Sequence, residues 1–151
     1  MTRHMRSEDV RVLPVGREEY AGLCRRVSGG FLQSPEWGDF KGRHGWTPGY
    51  VGFYKKGEAV GGGMFLRRDL PGGKSFLYYP KGPRINTADT DFFADVMDEL
   101  PRATYAAAGA RPLFLRVETD IREEESAALL RRMRRAGYVK APYDVQYRDT
   151  R

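Results

Sequence analysis

Two lysines stand beside aromatic rings in this sequence, a pairing that suits a ligand carrying both phosphate and a ring. In Phe76-Leu77-Tyr78-Tyr79-Pro80-Lys81-Gly82-Pro83 the first half is apolar and aromatic, as a buried strand should be. The second half cannot continue a sheet. Pro80 and Pro83 each lack an N–H and Gly82 permits backbone angles closed to other residues, so Lys81 is presented on a rigid exit loop at the end of a strand. A strand with a Gly-Pro stop and a solvated lysine has the same signature. The second lysine, Lys41, lies four residues after Trp37 and so shares a helical face with it, and Trp46 follows just beyond Gly45. The plainer alternative is a core Trp37 with the Lys41 stem running across it.

Other chemistries find less support. Cys24 is the only cysteine, which leaves no internal disulfide and no cysteine-based metal site, and with only His4 and His44 a zinc centre is not expected. Cys24 lies mid-helix among apolar neighbours, a core position rather than a reactive one. The net charge of +6 fits an anionic partner such as RNA, a phosphorylated small molecule or an acidic membrane surface. Arginine outnumbers lysine 20 to 6, a skew that genome base composition can also produce. No apolar run approaches the length of a membrane span, and Met1-Thr2-Arg3-His4-Met5-Arg6 lacks the apolar segment of a signal peptide. The expected location is the cytoplasm, the inner membrane surface included.

The elements that position these residues follow from periodicity. At 151 residues the chain is one domain's worth. Residues 1–9 read as a frayed start and residues 10–13 alternate as a short strand that Pro14 is expected to end. Tyr20, Leu23, Cys24 and Val27 recur on one face of a helix stopped by Gly29-Gly30. Ser34 as N-cap, Pro35 at the first position and Glu36 in the first turn open the short helix that carries Trp37 and Lys41. Residues 50–54 and 59–66 form a hairpin about Lys55-Lys56-Gly57-Glu58. Gly61-Gly62-Gly63 in its second strand predicts a bulge, or a backbone against which something packs closely. No helix follows these glycines, so they are not a phosphate loop.

Pro71-Gly72-Gly73-Lys74 turns the chain into the strand that ends at Lys81. A helix capped by Asp89 or Thr90 then buries Phe93, Val96, Met97 and Leu100, with a kink or break expected at Pro101 before Gly109. Residues 112–118 predict a strand buried on both faces with Glu118 at its exit. The last helix begins near Glu123-Glu124-Glu125 and is expected to bury Ala127, Leu130 and Met133, with Leu129 beside them, before Gly137 ends it. Its acidic start and its end at Arg131, Arg132, Arg134 and Arg135 match the macrodipole, a structural account that competes with RNA binding. Residues 144–147 read as the start of a further strand.

In order and spacing, Phe31-Leu32-Gln33-Ser34-Pro35-Glu36-Trp37 with Lys41 and Gly45-Trp46, Gly57-Glu58-Ala59-Val60-Gly61, Tyr78-Tyr79-Pro80-Lys81-Gly82-Pro83, Leu115-Arg116-Val117-Glu118, and Gly137-Tyr138 with Gln146 and Thr150 resemble the Fem family. These are the aminoacyl-tRNA-dependent peptidyltransferases that build peptidoglycan interpeptide bridges. The Gln-x-x-x-Trp-x-x-x-Lys and Tyr-x-x-Lys-Gly-Pro elements carry the resemblance furthest. It implies an acetyltransferase-like α/β (α+β) fold, a mixed, mostly antiparallel sheet flanked by helices, which Fem proteins carry in two tandem copies. Residues 1–151 then form a single domain corresponding to the first copy, without the second.

The implied reaction moves an amino acid from aminoacyl-tRNA to the side-chain amine of a muropeptide precursor, UDP-linked or lipid-linked. This chain would be the precursor-binding half, with a second acetyltransferase-like half or another copy of itself as partner, and no cofactor. In the family the lysine matching Lys41 contacts the diphosphate, Trp46 falls where an aromatic borders the uridine or sugar, and Tyr78 and Lys81 match the pattern around that cleft. Glu118 matches an acid considered for amine activation, since an attacking ammonium must lose a proton. Thr119 stands where the family usually has proline.

Two other classes remain in view. One is a single-domain acetyl-CoA-dependent N-acetyltransferase, which needs a glycine-containing turn entering a helix for the pyrophosphate, whereas Arg134-Arg135-Ala136-Gly137 leaves one. The other is a non-catalytic basic module that binds RNA or the second half of a split enzyme, marked by salt-dependent tRNA affinity or by an exposed apolar edge near residues 144–147.

Overall fold

The computed structural model describes residues 9–27, 30–85, 90–119 and 123–139. Strands β1 (Val10–Val15), β2 (Thr47–Lys55), β3 (Glu58–Leu70), β4 (Lys74–Tyr79) and β5 (Leu115–Val117) form one sheet in chain order. The first four are antiparallel, while β5 lies parallel to β4 from Leu77 opposite Leu115 to Tyr79 opposite Val117. That parallel step needs a crossover, which the helix α3 (Thr90–Ala108) supplies. The helices α1 (Arg17–Arg26) and α2 (Pro35–Gly42), with a 3-10 turn at Phe31–Gln33 between them, precede β2, and α4 (Glu123–Arg135) follows β5. This is the mixed, mostly antiparallel sheet flanked by helices that was expected. No helix among the described residues is long and apolar enough to cross a membrane.

Strand alternation divides the core between two faces of the sheet. Val12, Val51, Phe53, Phe65, Leu77 and Tyr79 point toward α3 and α4, where Phe93, Val96, Met97, Leu100, Leu129 and Met133 close the larger cluster. Tyr50, Met64 and Leu66 point the other way and meet Tyr20 of α1, with Trp37 and Trp46 packed alongside. Each fully buried large apolar side chain contributes about 1.5–3 kcal/mol relative to exposure.

Several expectations need correction. β1 runs through Pro14, which pairs with Val51, because β1 is an edge strand and a missing N–H can face outward there. Leu129 and Met133, four residues apart, are the buried pair of α4, whereas Ala127 is exposed and Leu130 is 40% exposed. The face is thus set by packing on α3. β5 is shorter than residues 112–118 and half-buried, with Leu113 and Phe114 at 58% and 50% exposure, because it lies at the margin of the described sheet.

α3 continues through Pro101 as one helix. Pro101 has no N–H for the carbonyl four residues back, that of Met97, and the Tyr138 hydroxyl donates to that carbonyl at 2.8 Å instead. Gly137-Tyr138 therefore has a structural task.

The triple glycine is closely approached but not itself bulged, because Gly61, Gly62 and Gly63 pair in register with Phe53, Gly52 and Val51 and the extra residue is Val60. The β2–β3 register shifts between Phe53 and Tyr54, and the backbone is closely approached: a Cβ on Gly61 would lie 2.6 Å from the Arg84 carbonyl oxygen, and one on Gly63 would lie 2.9 Å from Pro83. The expected features at residues 1–8, Gly29, Asp89, residues 144–147, Gln146 and Thr150 lie outside the described residues.

Candidate functional site

Ser34 caps α2 as expected, its hydroxyl oxygen accepting from the Trp37 N–H at 3.1 Å, with Pro35 in the first turn. α1 braces this helix through a two-pronged contact, Arg17 Nε and Nη2 donating to the two Asp39 oxygens at 2.9 and 2.6 Å. After α2 the chain folds back, the Trp46 N–H bonding the Lys41 carbonyl at 3.2 Å. Gly45 permits this with φ +90°, in the left-handed region. Trp46 is thereby returned to Lys41.

The Lys41 ammonium lies 5.3 Å from the Trp37 ring centroid and 5.4 Å from that of Trp46, and the Arg68 guanidinium lies 5.1 Å from Trp46. Cations over indole faces are attracted by the ring quadrupole. Trp46 meets Phe76 edge-on at 5.7 Å, and Phe76 stacks on Phe114 at 4.9 Å. The shared face of Trp37 and Lys41 is realised: Trp37 is half-buried against the smaller core cluster, and the Lys41 ammonium lies over its ring.

α1 and α2 lie over β2 and β3. The β4–β5 half of that same face carries Phe76, Tyr78, Phe114, Arg116 and Glu118, with Tyr78 and Arg116 in register. The Tyr78 hydroxyl donates to Glu118 Oε1 at 3.1 Å. Glu118 is held by its backbone too, its N–H on the Tyr79 carbonyl at 3.1 Å and its carbonyl taking the Gly82 N–H at 3.0 Å. Lys81, one residue before Gly82, is half-buried at φ +47°, a conformation that costs a non-glycine residue about 1–3 kcal/mol and clusters at functional sites. Neither Lys41 nor Lys81 has a carboxylate partner among the described residues.

The structure brings Lys41 to Trp46 and Tyr78 to Glu118, and the Gly82 hydrogen bond places the Lys81 turn beside Glu118. Sequence reasoning missed Arg68, Arg116, Phe76 and Phe114 as neighbours of these groups. Alternation could have found the two pairs, because Arg68 opposes Phe76 across β3 and β4 and shares its face, and Arg116 is two residues from Phe114. Gln33, quoted as part of a motif, is fully buried.

The architecture has known counterparts. FemX aligns with a TM-score of 0.67 at 16% identity over 84% of this chain and 31% of its own, so this chain spans about a third of that protein's length. A putative acetyltransferase from Agrobacterium tumefaciens str. C58 aligns with a TM-score of 0.55 at 13% identity over 92% of this chain and 99% of its own. At these identities the likeness shows the fold, which is acetyltransferase-like. No curated protein sequence matches the chain. The sequence pattern of the FemAB family, however, matches residues 17–135, a stretch that includes every residue of the site just described, and on that match the chain belongs to the FemAB family.

Proposed function

We propose that this chain is the precursor-binding half of a Fem-like aminoacyltransferase, which moves an amino acid from aminoacyl-tRNA to the amine of a peptidoglycan precursor peptide. The observation that carries this reading is the Lys41 ammonium over two indoles, beside a half-sheet that α1 and α2 leave to other contacts. A diphosphate could meet Lys41 while a uridine or sugar ring lies along Trp46, and Lys81 offers a second cation from the end of β4. A half-buried cation already resting on aromatic surface loses little further hydration when an anion arrives.

Glu118 is the group that would take the proton an attacking ammonium must lose. Its carboxylate is oriented by Tyr78, and its backbone is pinned on both sides, so its reach is set by the sheet rather than by a loop. Aminoacyl-tRNA and a second acetyltransferase-like unit, or another copy of this chain, are the partners this reading requires, in the cytoplasm or at the inner membrane surface.

Calorimetric titration with UDP-N-acetylmuramoyl-pentapeptide, with acetyl-CoA as control, tests the proposal. Binding of the muropeptide alone supports it. Binding of acetyl-CoA alone would replace it with the acetyltransferase reading. A pyrophosphate bound after β4 would need free backbone N–H groups. Among residues 80–84, Pro80 and Pro83 have none, the Gly82 N–H goes to the Glu118 carbonyl at 3.0 Å and the Arg84 N–H to that of Gly62 at 2.7 Å, which leaves the N–H of Lys81.

A further inference from the structure

We infer that Gln33 is a positioning residue whose side-chain amide replaces a missing rung between β3 and β4 and so sets where Lys81 is presented. The inference rests on the ligand-binding role proposed above for Lys81 and Lys41.

The β3–β4 ladder runs from Leu70 opposite Lys74 to Leu66 opposite Tyr78. Continued in register, Met64 would face Pro80. Pro80 has no N–H to give, so that rung cannot form. Gln33 stands in the gap, its Nε2 donating to the Met64 carbonyl at 2.8 Å and to the Pro80 carbonyl at 2.9 Å. Its Oε1 accepts from the Met64 N–H at 2.9 Å. Three backbone groups are satisfied by one amide. Among side chains of this length no carboxylate or thioether can do the same, since two donors and one acceptor are needed together.

Pairing then resumes at Gly62 opposite Arg84. Between the two paired stretches, residues 79–83 face residues 63–65, and this excess length is what pushes Lys81 out at φ +47°. The amide therefore fills the opening at the base of the Lys81 turn. Gly82 leaves room for it, because a Cβ there would lie 2.2 Å from Gln33 Cδ. The backbone carbonyl of Gln33 is in turn held by the Tyr20 hydroxyl of α1 at 2.6 Å, and the next residue is Ser34, the cap of the helix that carries Lys41. One buried residue links the supports of both lysines.

The test combines two measurements on the whole chain with two variants. Gln33→Met keeps size and removes the hydrogen bonds, and Gly82→Ala displaces the amide from the other side, so that failure of one variant to fold leaves the other. In the free protein, amide hydrogen exchange at position 82 and at Arg84 is expected to rise by about tenfold or more while Val51 and Phe53 in β2 keep their wild-type rates. Affinity for UDP-N-acetylmuramoyl-pentapeptide is expected to fall by roughly tenfold, and this loss should vanish in a Lys81→Ala background, where there is no ammonium left to position. Unchanged exchange at position 82 and at Arg84 would overturn the inference, as would an equal loss of affinity with and without Lys81. If the wild-type chain does not bind the muropeptide, the proposed function fails and the exchange measurement alone decides the role of Gln33.

Discussion

At Lys41 the opposing group is aromatic rather than acidic. A lysine paired with a carboxylate would have to give up that partner to bind phosphate, whereas one resting on Trp37 and Trp46 can keep both contacts. Lys41→Ala should therefore weaken muropeptide binding by about 1–3 kcal/mol, the range for a charge-assisted contact, with little change in thermal stability. Titration of the variant checks this, and wild-type affinity would remove Lys41 from the site. The Ser34 cap and the shared face of Trp37 and Lys41 were legible because both depend on spacing within one helical turn. The approach of Trp46 was not, since it depends on the left-handed turn at Gly45, and neither was the task of Gln33, which depends on a rung missing some 30 residues away.

Between elements, the informative features are those where a local defect is repaired from a distance. Pro101 orphans the Met97 carbonyl inside α3, and Tyr138 supplies the donor from beyond α4. Tyr138→Phe should lower unfolding free energy by about 1–3 kcal/mol, the cost of a buried acceptor left unmade. The same substitution in a Pro101→Ala background should cost less, because the backbone N–H restored by that replacement can serve Met97. Denaturant unfolding of the four proteins checks this cycle, and additivity would refute it. The sequence pattern marked Pro101 as a break but contained no sign of the repair, which lies 37 positions downstream.

The clamp between α1 and α2 predicts a pH dependence. The Arg17 guanidinium holds the Asp39 carboxyl below its ordinary value of 3.8, chiefly by hydrogen bonding. A lowered folded-state value means that the stabilisation is complete above pH ~4 and is lost as pH falls through the folded value. Asp39→Asn should thus melt below the wild type at pH 7, and the gap in Tm should close as pH drops under ~4. A gap that stays constant with pH would mean that the ion pair is not its source.

At the scale of the whole molecule, two groups of positive charge among the described residues lie on opposite faces of the sheet. Lys41 and Arg68 lie with Tyr50, Met64 and Leu66, on the α1 and α2 side, while α4 packs through Leu129 and Met133 on the other. On α4, Arg132 is tied to Asp91 of α3, and Arg131, Arg134 and Arg135 are exposed. The Lys41–Arg68 pair and the α4 arginines are therefore two separate basic groups among the described residues. A small anionic ligand at Lys41 and an RNA on the α4 arginines would engage opposite faces, and substitutions can separate them. Replacing Arg131, Arg134 and Arg135 with Gln should leave muropeptide affinity within about twofold of wild type, since charges across the sheet are screened over a Debye length of roughly 8–10 Å. For any tRNA affinity the same triple variant should flatten the dependence of log K on log salt by roughly 0.7–0.9 for each arginine that had met a phosphate. Lys41→Ala should do the reverse, lowering muropeptide affinity and leaving the salt slope for tRNA nearly unchanged. If the arginine variant weakens the muropeptide as much as Lys41→Ala does, the two faces act as one site and the division of charge carries no functional meaning.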